Sequence, residues 1–360
     1  MGKTILGIET SCDETAASVV VDGYEVLSNV VASQIAKHAP FGGVVPELAA
    51  REHLRNISVV VESAISESGM SVSDIDAVAV TNGPGLLPAL LVGLNFAKGF
   101  SAAHNLPLIG VNHFSAHIYG AFLDFGVDLL RSDDTYPILA LVVSGGHTSL
   151  VLVDGAGSAE IVGGTIDDAA GEAFDKGAKL LSLGYPGGPI IEKLAKKGDP
   201  AKFAFPRPLI GRGGKAVKPE NRFNFSFSGI KTALLYHARD IREDCALDDQ
   251  VLFDTLASYQ AAIVDTLAIK TMDAMRRFNV KSVVVCGGVA CNGALRERLR
   301  SDVESAGNAF YAAPPKYCTD NAAMIAGFAN SIFASPEMND ENEIDAFTRN
   351  PHGSPLPFPR

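Results

Sequence analysis

Apolar and polar positions divide the 360-residue chain into repeating units. Thr4-Ile-Leu-Gly-Ile-Glu9 is an apolar run, followed by a small polar turn at 10–15 and a second apolar run ending at Val21-Asp22-Gly23. The same order recurs later: Tyr136-Pro-Ile-Leu-Ala-Leu-Val-Val143, a polar turn, then Thr148–Val153 and Asp154-Gly155. Short apolar runs bounded by turn residues predict buried strands. The repeat predicts an internal duplication, one copy per lobe. A third unit, Lys281–Leu299, predicts a parallel-type strand, a glycine turn and a helix. Helical periodicity covers 47–68, 86–104, 168–183, 228–243 and 249–278. Asp76–Thr81 predicts a further strand before Asn82-Gly-Pro-Gly85. Strands alternating with helices predict an α/β architecture with largely parallel sheets.

Two lobes, 1–135 and 136–335, follow from this pattern. A segment at 185–227, rich in Gly, Pro and Arg and without clear period, reads as a long functional loop in the second lobe. The acidic, Pro-rich stretch 336–360 reads as an extended tail. Each lobe opens on a strand–turn–strand, and a strand–Gly-Gly–helix unit comes late. That is the layout of the duplicated actin, Hsp70 and sugar-kinase fold, which holds a nucleotide in a cleft between lobes. The turns at 10–15 and 144–148 would then cradle phosphates with backbone N–H groups. Gly287 and Gly288 would allow a nucleoside to approach the backbone.

Composition narrows the class. Hydrophobic residues make up 47% and charged residues 20%, enough to bury real cores. No run approaches the ~20 apolar residues of a membrane span, and the first residues enter a strand directly, so a cytoplasmic enzyme is expected. The five cysteines are odd in number and include no CxxC pair, which argues against a disulfide framework. Net charge is −11, yet residues 193–232 hold ten Lys/Arg and two acids. That segment is +8, leaving −19 elsewhere. Phe203, Phe205, Phe223, Phe225 and Phe227 interleave these cations. The stretch reads either as an RNA-contacting strip, cations on phosphates and rings on bases, or as a solvated loop whose rings plug into the core.

The sharpest chemistry lies after the apolar run Leu106–Val111. Asn112 is a helix N-cap candidate, which puts His113 and His117 on the first turns of a helix. Residues i and i+4 share a face, roughly 5–6 Å apart at Cβ. Such a pair can grip one transition-metal ion, or simply pack beneath a loop. The residue after His113 is Phe114, so the glutamate of an HExxH peptidase is missing. A sugar kinase or an Hsp70-type regulator would need neither histidine.

Ten motifs in order resemble one family, the tRNA threonylcarbamoyladenosine transferases known in bacteria as TsaD. They are Gly7-Ile-Glu-Thr-Ser-Cys-Asp-Glu-Thr15, Gly42-Gly-Val-Val-Pro-Glu-Leu-Ala49, Asn82-Gly-Pro-Gly85, Asn112-His113-xxx-His117, Val143-Ser-Gly-Gly-His-Thr148, Asp168-xxx-Glu172-Ala-Phe-Asp-Lys176, Tyr185-Pro-Gly-Gly188, Phe225-Ser-Phe-Ser-Gly-Ile-Lys231, Gly287-Gly-Val-Ala-xx-Asn292 and Cys318-Thr-Asp-Asn321. The resemblance spans about residues 3–330. It implies His113, His117 and Asp320 as ligands of one divalent metal ion, iron before zinc. It implies Val142, Val143, Ser144, Gly145, Gly146, Asp175, Gly188 and Asn292 around the nucleotide and threonylcarbamoyl parts of the substrate. That substrate would be threonylcarbamoyl-adenylate, and the acceptor a tRNA adenosine beside the anticodon. A TsaB-like paralogue and a TsaE-like P-loop ATPase would be partners. Asp13 and Glu14 read equally as holders of a cation or water near the phosphates and as turn formers.

Overall fold

The computed structural model describes residues 2–125, 128–211, 217–243, 248–333, 344–349 and 356–358. Arg212, Lys215 and Cys245, and most of the tail, lie outside the described residues. Contacts group the chain into two units. One holds Met1–Thr135, Val153–Glu160 and Ala313–Arg360; the other holds Tyr136–Leu152 and Ile161–Ala312.

The first unit is built on strands β1 (Thr4–Glu9), β2 (Glu14–Val21), β3 (Glu25–Ser33), β4 (Ala77–Gly83) and β5 (Leu108–Asn112). Their order is β3-β2-β1-β4-β5. β1–β2 and β2–β3 are antiparallel, whereas β1–β4 and β4–β5 are parallel. Helices α1 (Pro46–Glu67), α2 (Leu87–His104) and α3 (His113–Gly120) follow β3, β4 and β5 respectively. Every residue of β1 and β5 is buried, as the apolar runs require.

The second unit repeats the plan. Its sheet holds strands β6 (Ile138–Val143), β7 (Thr148–Val153), β8 (Ser158–Gly164), β9 (Ser282–Cys286) and β10 (Ala309–Ala312) in the order β10-β9-β6-β7-β8, with β11 (Leu356–Pro357), which like the start of β8 groups with the first unit, added beside β8. Apart from β11, this is the order of the first sheet. The duplication read from the two strand–turn–strand runs is therefore a duplication of topology. Helices here are α4 (Ala170–Leu180), α5 (Gly187–Ala195), α6 (Ser228–Glu243), α7 (Asp249–Phe278) and α8 (Gly293–Ser305). The final helix α9 (Ala322–Phe333), expected with the second lobe, packs on the first sheet. Its Ala322, Ala323, Ala326 and Ala329 are small and fully buried. Gly7 on β1 lets them close on the sheet: a Cβ there would lie 2.5 Å from the Ala322 carbonyl oxygen.

The segment expected as a loop at 185–227 carries α5. Gly187, Ile191 and Ala195 recur at helical spacing and are buried. The glycines and proline at its start hide this short helix from a periodicity reading. Phe205, Phe225 and Phe227 are at most 4% exposed. These rings are core residues, and of the two readings of the aromatic interleaving the core reading holds for them. Arg207 pairs with Asp265 at 2.7 Å, Arg222 with Asp273 at 2.7 Å, and Lys231 with Asp168 at 2.5 Å. Lys193, Lys196, Lys197, Lys202 and Lys218 remain exposed.

Candidate metal centre and nucleotide-binding turns

β5 ends at Asn112, whose side-chain oxygen accepts from the backbone N–H groups of Phe114 (3.0 Å) and Ser115 (3.3 Å). The cap starts α3 at His113 and puts His117 one turn later. Both rings are buried, with centroids 4.5 Å apart and edge to face. Asn321 caps α9 by accepting from Met324 N–H at 3.1 Å. Asp320 immediately precedes it and reaches back to the rings: its Oδ1 lies 3.1 Å from His117 Nε2 and 3.5 Å from His113 Nε2. One ligand atom from each of the three lies within 4.8 Å of the others.

Glu9, at the end of β1, completes this group. It is fully buried. It accepts from Ser11 N–H at 2.5 Å and from the Thr81 hydroxyl, and its Oε2 is 3.2 Å from His113 Nδ1. A carboxylate on Nδ1 leaves Nε2 of His113 to face Asp320 and orients the ring. Burial alone would lower the His113 pKa, but Asp320 and Glu9 outweigh it and push it up to about 10. Burial and the neighbouring His113 charge hold His117 below its ordinary value. Burial would raise Asp320, yet the two imidazoles hold it well below the carboxylate range. The buried Glu9 and the partly exposed Asp320 thus place two carboxylates around His113, and a bound cation would balance their charge. Two imidazole nitrogens and a carboxylate oxygen are the donor types that hold iron or zinc with coordination positions left open.

Asp13 and Glu14 flank this centre. Burial, then the charge of Asp320, raises Asp13. Burial, then Asp13 and Asp320, pushes Glu14 up to about 8. Glu14 accepts from Ser33 Oγ at 2.8 Å, while its second oxygen is buried with no hydrogen-bond partner among the described residues.

In the second unit, the turn between β6 and β7 closes on itself: Ser144 N–H donates to the His147 carbonyl at 2.8 Å, and His147 N–H to Ser144 Oγ at 3.2 Å. A Cβ at Gly145 or Gly146 would meet nothing within 4 Å, so this backbone is open to a ligand. Val142 and Val143 are buried core side chains; only their backbone could serve a substrate. Gly287 has φ +92 and a Cβ there would lie 2.4 Å from the Val143 carbonyl oxygen, so only glycine fits against that strand end. Asp175 Oδ1 accepts from Gly187 N–H at 2.7 Å, at the start of α5 beside the open Gly188. Asn292, expected beside the substrate, makes two hydrogen bonds within the protein. Its oxygen accepts from Leu295 N–H (3.0 Å), capping α8, and its amide donates to Gln260 (2.8 Å).

Among these, the role of Glu9 beside His113 was not foreseen from sequence. Its only signal there is an acid ending an otherwise apolar strand.

A family model described as TsaD, tRNA N6-adenosine threonylcarbamoyltransferase, matches residues 25–327. A tRNA N6-adenosine threonylcarbamoyltransferase of Geotalea uraniireducens is 49% identical over 322 residues, covering 89% of each chain. One of Syntrophotalea carbinolica is 47% identical over 342 residues, 95% of each. In fold, the chain is similar to component A of (R)-2-hydroxyglutaryl-CoA dehydratase from Acidaminococcus fermentans: TM-score 0.52, 17% identity, 92% of this chain and 100% of that one. The fold is the duplicated α/β fold of the actin, Hsp70 and sugar-kinase group, and the chain belongs to the TsaD family of tRNA N6-adenosine threonylcarbamoyltransferases.

Proposed function

We propose that the enzyme transfers threonylcarbamoyl from threonylcarbamoyl-adenylate to N6 of the adenosine beside the anticodon, at position 37, of tRNAs reading codons that begin with A. The convergence of His113, His117 and Asp320 supports this reading most directly. An exocyclic adenine amine is a weak nucleophile, so placing it against an activated mixed anhydride is most of the work. In the step, N6 bonds to the carbamoyl carbon, the bond from that carbon to the phosphate oxygen breaks, and AMP leaves as N6 loses a proton.

His113, His117 and Asp320 would hold one divalent ion, iron before zinc, with Glu9 orienting His113. When bound, the metal supplies Lewis acidity to an oxygen of the threonylcarbamoyl group. The Ser144–Gly146 turn would receive the phosphate on backbone N–H groups. Asp175 and Gly188 would lie along the ribose, and Asn292 would shape the wall through the start of α8. The exposed lysines of 193–218 would contact tRNA phosphates. Leu87 and Leu91, 42% and 39% exposed on α2, would pack against a TsaB-like paralogue, with a TsaE-like ATPase joining that assembly in the cytoplasm. No described helix is long and apolar enough to cross a membrane.

The test is nucleoside analysis of tRNA incubated with threonine, bicarbonate, ATP and the partner proteins. His113→Ala, His117→Ala and Asp320→Ala are each expected to lose bound metal and modified nucleoside while remaining folded. Near-normal metal content in all three would sink the reading.

A further inference from the structure

Three polar side chains lie sealed inside the first unit, outside the centre described above: Gln34, His38 and His53, each at most 1% exposed. They form one hydrogen-bonded chain whose polarity is fixed at both ends. At one end the Val45 N–H donates to His38 Nδ1 (3.3 Å), so His38 carries its proton on Nε2 and donates to Gln34 Oε1 at 3.1 Å. The Gln34 amide nitrogen then faces His53 Nδ1 (3.3 Å) and the Ala49 carbonyl (3.4 Å). Thr15 Oγ1 lies 2.8 Å from that same Nδ1. With Nδ1 accepting, the His53 proton sits on Nε2, 3.0 Å from the Cys12 carbonyl oxygen, an acceptor only. The hydrogen bonds assign the Nε2–H tautomer to both rings. Burial, the largest influence, holds the His53 pKa down, in keeping with a neutral ring.

The chain ends on the turn beside the candidate metal centre. The carbonyls of Ser11, Cys12 and Asp13 in that turn are each taken by a different part of the fold. Ser11 O accepts from Leu86 N–H at 2.8 Å, Cys12 O from His53, and Asp13 O from Gln34 N–H at 3.0 Å. The turn in turn places Ser11 Oγ 3.4 Å from His113 Nδ1 and Ser11 N–H on Glu9. An apolar core would hold α1 on the sheet without desolvating these polar groups. A fully satisfied polar chain fixes one geometry where apolar packing tolerates several.

We propose that His53 and Gln34 are positioning residues, which hold the Ser11–Asp13 turn against the metal-binding histidine and couple it through His38 to the Gly42–Val45 loop. This rests on the reading of His113, His117 and Asp320 as metal ligands.

Two measurements on the full-length protein test it. Nitrogen-15 spectra of the histidine rings in the parent should show His38 and His53 as neutral Nε2–H tautomers at pH 7. A charged ring, or an Nδ1–H tautomer at His53, overturns the proposal without any substitution. Zn²⁺ titration against a competing chelator then compares His53→Leu, which removes donor and acceptor, with His53→Gln, which keeps one of each. His53→Leu should bind Zn²⁺ about tenfold or more weakly, the usual scale for losing an outer-shell support, and lose kcat in proportion. His53→Gln should recover most of both. Loss of metal in His113→Ala, with equal affinity and kcat in His53→Leu and parent, overturns the clamp and leaves the metal reading standing. A parent that binds no metal overturns the metal reading instead, and the kcat comparison of Leu with Gln then decides the clamp.

Discussion

Gly7→Ala is a one-carbon change away from the reacting groups, and the structure gives its size. Gly7 sits mid-sheet, paired with Ser18 on β2 and Ala79 on β4. A Cβ there would stand 2.5 Å from the Ala322 carbonyl oxygen, 2.8 Å from Ala326 N and 2.9 Å from Ala326 Cβ. Ordinary contact begins near 3.4 Å, so α9 must retreat by 3.4 − 2.5 = 0.9 Å. Two of the three obstacles are backbone atoms, and no flexible side chain can give way. Overpacking of this kind costs roughly 1–3 kcal/mol, which at about 2–4 °C per kcal/mol for a domain of this size lowers Tm by about 2–12 °C. The second consequence is chemical. Asp320 lies two residues before α9, and metal–ligand distances tolerate only about ±0.2 Å. Metal affinity should therefore fall at least tenfold in protein that is still folded. Gly99→Ala is the control. Gly99 is exposed on α2, and an added Cβ there meets nothing within 4 Å. Removing a helical glycine should stabilise by roughly 0.5–1 kcal/mol with metal affinity unchanged. Thermal unfolding and chelator competition read both variants. Parent-like Tm and affinity in Gly7→Ala would show that the contact between β1 and α9 does not set the position of Asp320.

Lys270 is 3% exposed, and burial pushes its pKa down to about 8 against the pull of Asp273. The unfolded chain then binds more protons between pH 8 and 10.5, so stability rises with pH in that window, by roughly 3 kcal/mol relative to Lys270→Met; a pH-independent difference between the two in urea titrations contradicts this. Lys218→Glu should weaken tRNA binding and flatten its salt dependence. Arg222→Glu should also lower stability, because it breaks a bidentate pair with Asp273; unchanged tRNA affinity at low salt in both would exclude the segment from the interface. Leu91→Asp should abolish assembly with the proposed TsaB-like paralogue on size-exclusion chromatography while leaving the monomer folded, and an intact complex would place the interface elsewhere.

What the sequence revealed follows from how local each signal was. β1, β5 and β6 are wholly buried apolar runs, and α7 keeps its period over thirty residues, so each is readable alone. The Asn112 cap is equally local: the asparagine and the two N–H groups it accepts from lie within four residues. β3, β8 and β10 carry no such local signal: none is a continuous buried apolar run, and β10 has only four residues. Their pairing is decided by the neighbouring strand, not by their own pattern.

The candidate site divides along the same line. His113 and His117 announce themselves by spacing, whereas Asp320 is more than 200 residues away and joins them only through the packing of α9 on β1. Glu9 could not be read as a partner of His113, because that role requires the end of β1, Thr81 on β4 and the start of α3 to meet. Asn292 shows the converse. An asparagine before Gly-Ala-Leu-Arg is both an amide fit to recognise a ligand and a good helix N-cap. An asparagine side chain has two N–H donors and two acceptor lone pairs, and here Leu295 and Gln260 use one of each. Replacing Asn292 should cost helix stability along with activity, which separates it from the open backbone of Gly145 and Gly146, where a substitution meets no neighbour within 4 Å.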